Sequence, residues 1–159
     1  MLSESARMSS AAEARFRVQA PNSKPRTIKI IALDTASEGV VDRLVQRSWN
    51  HATFFSAASS GDGGLKDRAG RPRNLADEIE NADLVVMVAT PGGNAGAAST
   101  IGQACSRKRV NTTALIAGAS SASDEAVSKT LKQVRPWSLM VVIADADDYI
   151  DDMLTALRA

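Results

Sequence analysis

The chain has very little cysteine or histidine: Cys105 and His51 are the single examples among its 159 residues. One cysteine excludes a disulfide within the chain, and one of each is too few for a zinc site built from Cys and His. A chain without internal disulfides is typical of a reducing compartment, so we expect a cytoplasmic protein. Cys105 falls on the apolar face of a predicted helix, where we interpret it as a packed thiol rather than a nucleophile.

Long apolar runs and an excess of one charge are also absent. No apolar run is long enough to span a membrane, and residues 1–26 lack the hydrophobic core of a secretory signal. The net charge of +1 provides no general electrostatic reason to bind nucleic acid or an anionic membrane, so neither is predicted as a partner.

The composition that is present indicates one globular domain. Hydrophobic residues make up 44% of the chain, which is enough to bury a core at this length. We expect a flexible tail at 1–26 and a single domain at 27–159. Residues 58–74 are rich in glycine and arginine, which predicts a mobile surface loop. Alternatively, the arginines of this loop form a flap that closes on an anion.

Five apolar segments of strand length alternate with segments of helical periodicity. The predicted strands cover residues 28–33, 52–57, 84–89, 112–117 and 139–144. This alternation predicts an α/β fold, a Rossmann-like three-layer sandwich around a five-stranded parallel sheet in the order 2-1-3-4-5. The residues predicted to be buried in its core are Ile30, Val86, Val88, Leu115, Ile116 and Val142.

A glycine-rich turn follows the central predicted strand and leads into a helix. The turn contains Thr90, Gly92, Gly93, Asn94, Ala95 and Gly96. A helix entered through glycines offers unpaired backbone N–H groups and the positive end of its dipole, which together attract an anion such as a phosphate. Alternatively, the glycines only let the chain turn, and the small residues only let the helix lie close to the sheet.

The first predicted strand is followed by a second turn of interest, which begins at Asp34. In the strand order 2-1-3-4-5, the direction in which successive strands are added reverses between the first and third strands. A crevice should therefore open between the two turns that follow these strands. We therefore predict a ligand site where both turns meet. The candidate ligand-binding residues are Asp34, Thr35, Ser37, Glu38, Gly39, Thr90, Gly92, Gly93, Asn94, Ala95 and Gly96.

These segments resemble the tubulin/FtsZ family. The run IENADLVVMVATPGGNAGAASTIGQACSRKR is similar to the apolar strand, glycine-rich signature and helix of that family, and TIKIIALDTASEGVVDRL is similar to its opening strand and nucleotide loop. The resemblance implies a nucleotide-binding domain of this family. In the signature, Gly92, Gly93 and Gly96 match glycines of the family, whereas Asn94 and Ala95 do not. Because the first loop has lost its glycine cluster and the family's acidic catalytic loop has no counterpart, GTP hydrolysis is not expected.

The pattern as a whole favours a non-catalytic binding or regulatory module. Its expected partner is a small anionic ligand or a protein. The cofactor is unknown, with a nucleotide as one candidate, and a homo-oligomer is left open. The alternative is an enzyme of unknown reaction that uses Asp34 or Glu38 as a general base or metal ligand. An acidic cluster at 145–152 is interpreted as the acid-rich first turn of the last helix rather than a metal site.

Overall fold

The computed structural model describes residues 26–58, 64–145, 147–157 and 159. The predicted tail therefore lies outside the described residues apart from Arg26. The strands are β1 Ile28–Ala32, β2 Ala52–Ser56, β3 Leu65–Asp67, β4 Pro72–Arg73, β5 Leu84–Ala89, β6 Asn111–Ala117 and β7 Met140–Ala144. The helices are α1 Thr35–Val45, α2 Leu75–Glu80, α3 Ala97–Lys108, α4 Asp124–Val134 and α5 Asp147–Ala156, with short 3-10 turns at Ala119–Ser121 and Arg135–Trp137.

The strands form one mixed sheet in the order β4-β3-β2-β1-β5-β6-β7. Strands β2, β1, β5, β6 and β7 pair in parallel, whereas β3 and β4 pair in the antiparallel sense. The α/β, Rossmann-like class predicted from the sequence is confirmed. The prediction of a five-stranded, wholly parallel sheet is wrong, because the sheet has seven strands.

The two additional strands come from the glycine-rich and arginine-rich segment. Leu65, buried at 2% exposure, anchors β3 on the core, and Gly70 adopts a φ of 82° in the turn between β3 and β4. The Asp67 side chain closes this turn by accepting hydrogen bonds from the amides of Ala69 and Arg71 at 3.0 and 2.9 Å. Residues 64–74 are therefore ordered, which corrects the mobile loop predicted there, while residues 59–63 lie outside the described part of the chain.

Helices cover both faces of the sheet, so the domain has three layers. Helices α1 and α5 bury Val41, Leu44, Ile150 and Leu154 on one face, together with Ile30, Val86, Val88 and Leu115 of the sheet. Helices α2, α3 and α4 bury Ile79, Ile101, Cys105 and Val134 on the other face, together with Ile31, Met87 and Ile116.

One of the six predicted core residues departs from expectation. Ile30, Val86, Val88, Leu115 and Ile116 are buried, whereas Val142 is only half-buried. The reason is the position of its strand, since β7 is the last strand of the sheet and has a neighbour on one side only among the residues that the structure describes. Within the described residues, no helix has both the length and the apolar character needed to cross a membrane.

Candidate ligand-binding cleft

Asp34 joins the loop after β1 to the loop after β5. Its carboxylate Oδ1 accepts hydrogen bonds from the Ser37 amide at 2.7 Å and from the Thr90 hydroxyl at 2.9 Å. Its Oδ2 accepts from the Thr90 amide at 2.9 Å. The bond from the Ser37 amide also makes Asp34 the N-cap of α1. The Ser37 hydroxyl completes a capping box by accepting a hydrogen bond from the Asp34 amide at 3.1 Å. Both turns that the sequence singled out are therefore held together by one buried carboxylate.

Gly93 lies against the same carboxylate. A Cβ atom built on Gly93 would lie 2.6 Å from Oδ2 and 2.8 Å from Cγ of Asp34, which is closer than real Cβ contacts. Glycine is therefore required here by the protein's own side chain. The sequence alone suggests that Gly93 is a glycine so that a ligand can approach the backbone. The contact with Asp34 is a structural reason for the same glycine.

The backbone amides of the glycine turn are largely used within the protein. The Gly92 amide donates to the Thr130 hydroxyl of α4 at 3.0 Å, and the Ala95 amide donates to Oε1 of Gln133 at 3.1 Å. The Thr130 hydroxyl donates onward to the Thr90 carbonyl at 3.3 Å. Helix α4 therefore fixes the back of the turn and takes up amides that an anion would otherwise bind.

Two further amides are satisfied inside the turn itself. The Gly93 amide donates to the Thr90 carbonyl at 3.2 Å, and the Gly96 amide donates to Oδ1 of Asn94 at 3.0 Å. Helix α3 begins at Ala97, and its N-cap residue Gly96 makes no side-chain cap. The Ala98 and Ser99 amides of its first turn donate to the Ala95 and Gly96 carbonyls at 3.0 and 3.4 Å, and this turn has no acidic residue. The positive end of the α3 dipole is therefore the part of this loop that remains electrostatically favourable to an anion.

A cleft of about 710 Å³ opens between the two loops. It lies over the carboxyl ends of β1 and β5, between the first turns of α1 and α3, at the point where the strand order reverses. Its lining residues are Leu33, Asp34, Thr35, Ala36, Ala57, Ala58, Gly64, Leu65, Leu75, Thr90, Gly93, Asn94, Gly96, Ala97, Thr100 and Ile101.

The lining combines an apolar wall with a few polar groups. Leu33, Leu65 and Leu75 are buried, while Thr35, Asn94 and Thr100 add hydroxyl and amide groups. Asp34 is the single charged residue among the lining residues that the structure describes, and its carboxylate is already bonded to three donors. The cleft can therefore recognise a ligand by its shape and by hydrogen bonds. Helix dipoles, rather than lysine or arginine side chains among the described lining residues, provide the positive potential.

The structure separates the candidate residues predicted from the sequence into two groups. Six of them line the cleft: Asp34, Thr35, Thr90, Gly93, Asn94 and Gly96. The others face elsewhere. Ser37 is fully buried in the α1 cap, Gly39 lies within α1, and Ala95 is fully buried in the core. Glu38 accepts a hydrogen bond from the Ser56 hydroxyl at the end of β2, and a Cβ on Gly92 would contact Ala126 of α4 at 3.5 Å.

Sequence reasoning missed several residues of the cleft. Thr100 follows Gly96 by four positions, so helical spacing places it on the same face of α3 and could have identified it. Leu65 and Leu75 come from β3 and the start of α2, which no local pattern connects to the glycine turn. Their place in the cleft becomes visible only from the extended sheet.

The other titratable groups that the structure describes do not line the cleft. Cys105 is buried on α3, and this burial raises the pKa of its thiol to about 11. His51 is exposed between α1 and β2. Asp151 pairs with Arg47 at 2.5 Å, and Asp145 accepts from the Ser120 amide at 2.8 Å. Among the described residues, no group of three His, Cys, Asp or Glu side chains is arranged to hold a metal ion.

The fold and the place of the cleft put the chain in the broad class of Rossmann-like α/β proteins. No protein-family model matches the chain, and no curated protein sequence matches it. Among solved structures, the chain is similar to translation elongation factor SelB from Methanococcus maripaludis in its apo form, with a TM-score of 0.48 and 12% sequence identity. The match covers 84% of this chain and 35% of that chain.

The resemblance to the tubulin/FtsZ family is wrong. No model of that family or of any other family matches the chain. The similarity rested on a strand, a glycine turn and a helix, which is a pattern that doubly wound α/β sheets share in general. In this chain the glycines have local causes instead, since Gly93 makes room for Asp34 and Gly92 adopts a φ of 80°.

Proposed function

We propose that this domain is a non-catalytic binding module that holds a nucleotide-like small molecule in the cleft between the β1 and β5 loops. The observation that carries the proposal is a concave site of about 710 Å³ at the switch point of the sheet. Ligands of open α/β sheets bind at this position, and small-molecule sites have volumes of roughly 300–1,000 Å³.

The lining supports a ligand with one apolar and one anionic end. Leu33, Leu65 and Leu75 form a wall against which a flat, apolar ring can pack. On the other side, the dipole of α3 favours a phosphate or carboxylate at its first turn, where the Ala98 and Ser99 amides are already bonded to the Ala95 and Gly96 carbonyls, and Thr100 adds a hydroxyl donor. Because four amides of the glycine turn are already bonded within the protein, we expect an anionic group to lie at α3 rather than inside the turn.

The bonding of the two carboxylates supports binding over catalysis. Both oxygens of Asp34 accept hydrogen bonds from the backbone and side chain of Thr90 and from Ser37, so its role is to position the two loops. Glu38 is engaged by the Ser56 hydroxyl and does not line the cleft. A general base must reach the proton of a bound substrate, and neither carboxylate is directed to that task.

The proposal is tested by a thermal-shift screen with nucleosides, their phosphates and dinucleotides, followed by calorimetric titration of each ligand that stabilises the protein. A ligand at 100 times its dissociation constant stabilises by roughly 2.7 kcal/mol. For a domain of this size, that raises the melting temperature by roughly 5–10 °C.

An isosteric charge change locates the binding site. Asn94→Asp keeps the Oδ1 that accepts from the Gly96 amide, but adds a negative charge beside the α3 first turn. Gln103→Glu makes the same change at an exposed position of α3 that does not line the cleft. We expect Asn94→Asp to weaken phosphate-bearing ligands by about tenfold, equivalent to 1.4 kcal/mol, and Gln103→Glu to leave them unchanged. A chain that no ligand stabilises, or equal affinities in both variants, would contradict the proposal.

A further inference from the structure

The two edges of the sheet are protected very differently. At one edge, β4 is two residues long and consists of Pro72 and Arg73, which cannot extend the ladder easily. At the other edge, β7 is five residues long and carries neither proline nor charge. Among the described residues, β7 pairs with β6 alone, so its outer backbone groups have no strand beside them. Such an edge is a template for another strand.

Apolar side chains are exposed along the same edge. Leu139 is 76% exposed, Met140 45% and Ile143 49%. These three residues are the majority of the five large exposed hydrophobic residues in the described chain, and the other two are Val45 on α1 and Tyr149 on α5. Apolar surface concentrated at one edge marks an interaction surface rather than scattered exposure.

The charges that flank β7 indicate what pairs with it. Exposed Lys132 and Arg135 precede the strand, whereas exposed Asp145 follows it. If a second copy of β7 lies antiparallel to the first, the basic end of each copy meets the acidic end of the other, and this match occurs twice across the two-fold axis. A parallel arrangement would instead place like charges together. Between these ends, β7 is uncharged and can face itself without repulsion.

We propose that β7 is a self-association edge, through which two copies of this chain pair antiparallel and join their sheets into one. The register that pairs all five residues of β7 places Val142 on the two-fold axis. Met140 and Ile143, exposed in one copy, then become covered by the partner. This inference stands on the sheet edge alone and does not depend on a ligand in the cleft.

Sedimentation velocity of the full chain over a range of concentrations tests the proposal. We expect a reversible dimer, and we expect Ile143→Lys to weaken it by about tenfold or more because an unpaired lysine would have to be desolvated in the pairing edge. Val45→Lys is the matched control, since it makes the same type of change at an exposed apolar residue on α1, which packs on β1, β2 and β5 rather than on β7. Circular dichroism melts of both variants establish that they are folded.

The orientation of the pairing is tested by charge exchange. Arg135→Glu and Asp145→Lys should each weaken the dimer, and the double variant should restore it, because the exchanged charges again match in the antiparallel arrangement. A chain that is monomeric at every concentration would overturn the proposal. So would a dimer that persists in Ile143→Lys, or a double variant that is weaker than either single variant.

Discussion

The carboxylate of Asp34 occupies the space that a side chain on residue 93 would need, with Oδ2 only 2.6 Å from the position of a Cβ on Gly93. The two residues belong to different loops, at the ends of β1 and β5, and their contact closes the bottom of the cleft. The same carboxylate accepts two hydrogen bonds from Thr90. The Asp34 side chain therefore requires a glycine at position 93.

The Gly93–Asp34 contact predicts a loss of stability in Gly93→Ala. The new methyl group would force Asp34 away from Thr90, and overpacking of this kind costs roughly 1–3 kcal/mol. Gly39→Ala is the control, because a Cβ there meets only the Arg43 Nη1 at an ordinary 3.8 Å and lies within α1. That variant should be more stable than the parent by roughly 0.5–1 kcal/mol. Urea unfolding measures both, and equal stability of the two variants would contradict the assigned contact.

Asp34 and Thr90 are predicted to be energetically coupled. Asp34→Asn replaces one acceptor oxygen by an NH₂ group that faces a Thr90 donor, and Thr90→Val removes the hydroxyl donor while keeping the side-chain shape. Each variant should lower the free energy of unfolding by roughly 1–3 kcal/mol. In a double-mutant cycle the losses should be less than additive by at least about 0.5 kcal/mol. Strict additivity would show that the two side chains do not act as a pair.

Cys105 should be unreactive in the folded protein. Burial raises the pKa of its thiol from an ordinary 9.0 to about 11, and reagents attack the thiolate. The raised pKa contributes stability that is fully present below pH 9 and is lost as the pH rises towards 11, because the unfolded chain releases the proton first. We expect modification by a thiol reagent to follow unfolding at mildly alkaline pH. Rapid labelling under native conditions would contradict the buried position.

Asp67 makes the β3–β4 turn sensitive to acid. The backbone amide of Arg71, helped by its guanidinium and the Ala69 amide, holds the pKa of Asp67 below its ordinary value of 3.8. The stabilisation is present above pH 3.8 and is lost as the pH falls through the lowered pKa of the folded state. Asp67→Asn should therefore lower the urea midpoint at neutral pH but not in strong acid, where the parent carboxylate is protonated too. A difference that is the same at both pH values would assign the effect to something other than this charge.

Much of the fold follows from local patterns in the sequence. The buried strand β5 was predicted correctly from its apolar run, because strand burial depends on residues close together in the chain. The β3–β4 hairpin was missed since its segment is rich in glycine, and its order depends on Leu65 reaching the core and Asp67 closing the turn. Those contacts have no signature in local composition.

The cleft was predictable in position but not in detail. Its place follows from where the chain leaves the parallel strands β1 and β5 for helices on opposite faces of the sheet, and the sequence indicates both turns. The role of each residue in the cleft, however, depends on contacts between residues that are far apart in the sequence. Gly93 is explained by Asp34, which lies 59 positions earlier, and two amides of the turn are taken by Thr130 and Gln133 of α4. The glycine pattern suggests a loop whose backbone amides are open to a phosphate. In the structure, most of these amides instead donate hydrogen bonds within the protein.

Binding of a ligand in the β1–β5 cleft can be followed by NMR at every backbone amide. The ¹⁵N-labelled protein is titrated with the nucleotide-like compound that stabilises it most in the thermal-shift screen. We expect the largest shifts at Thr35, Asn94, Ala97 and Thr100, which line the cleft, and none at Met140 to Ala144 on the far edge. Asn94→Asp should reduce these shifts at the same ligand concentration. Shifts confined to other surfaces, or no shifts with any compound of the screen, would contradict the account.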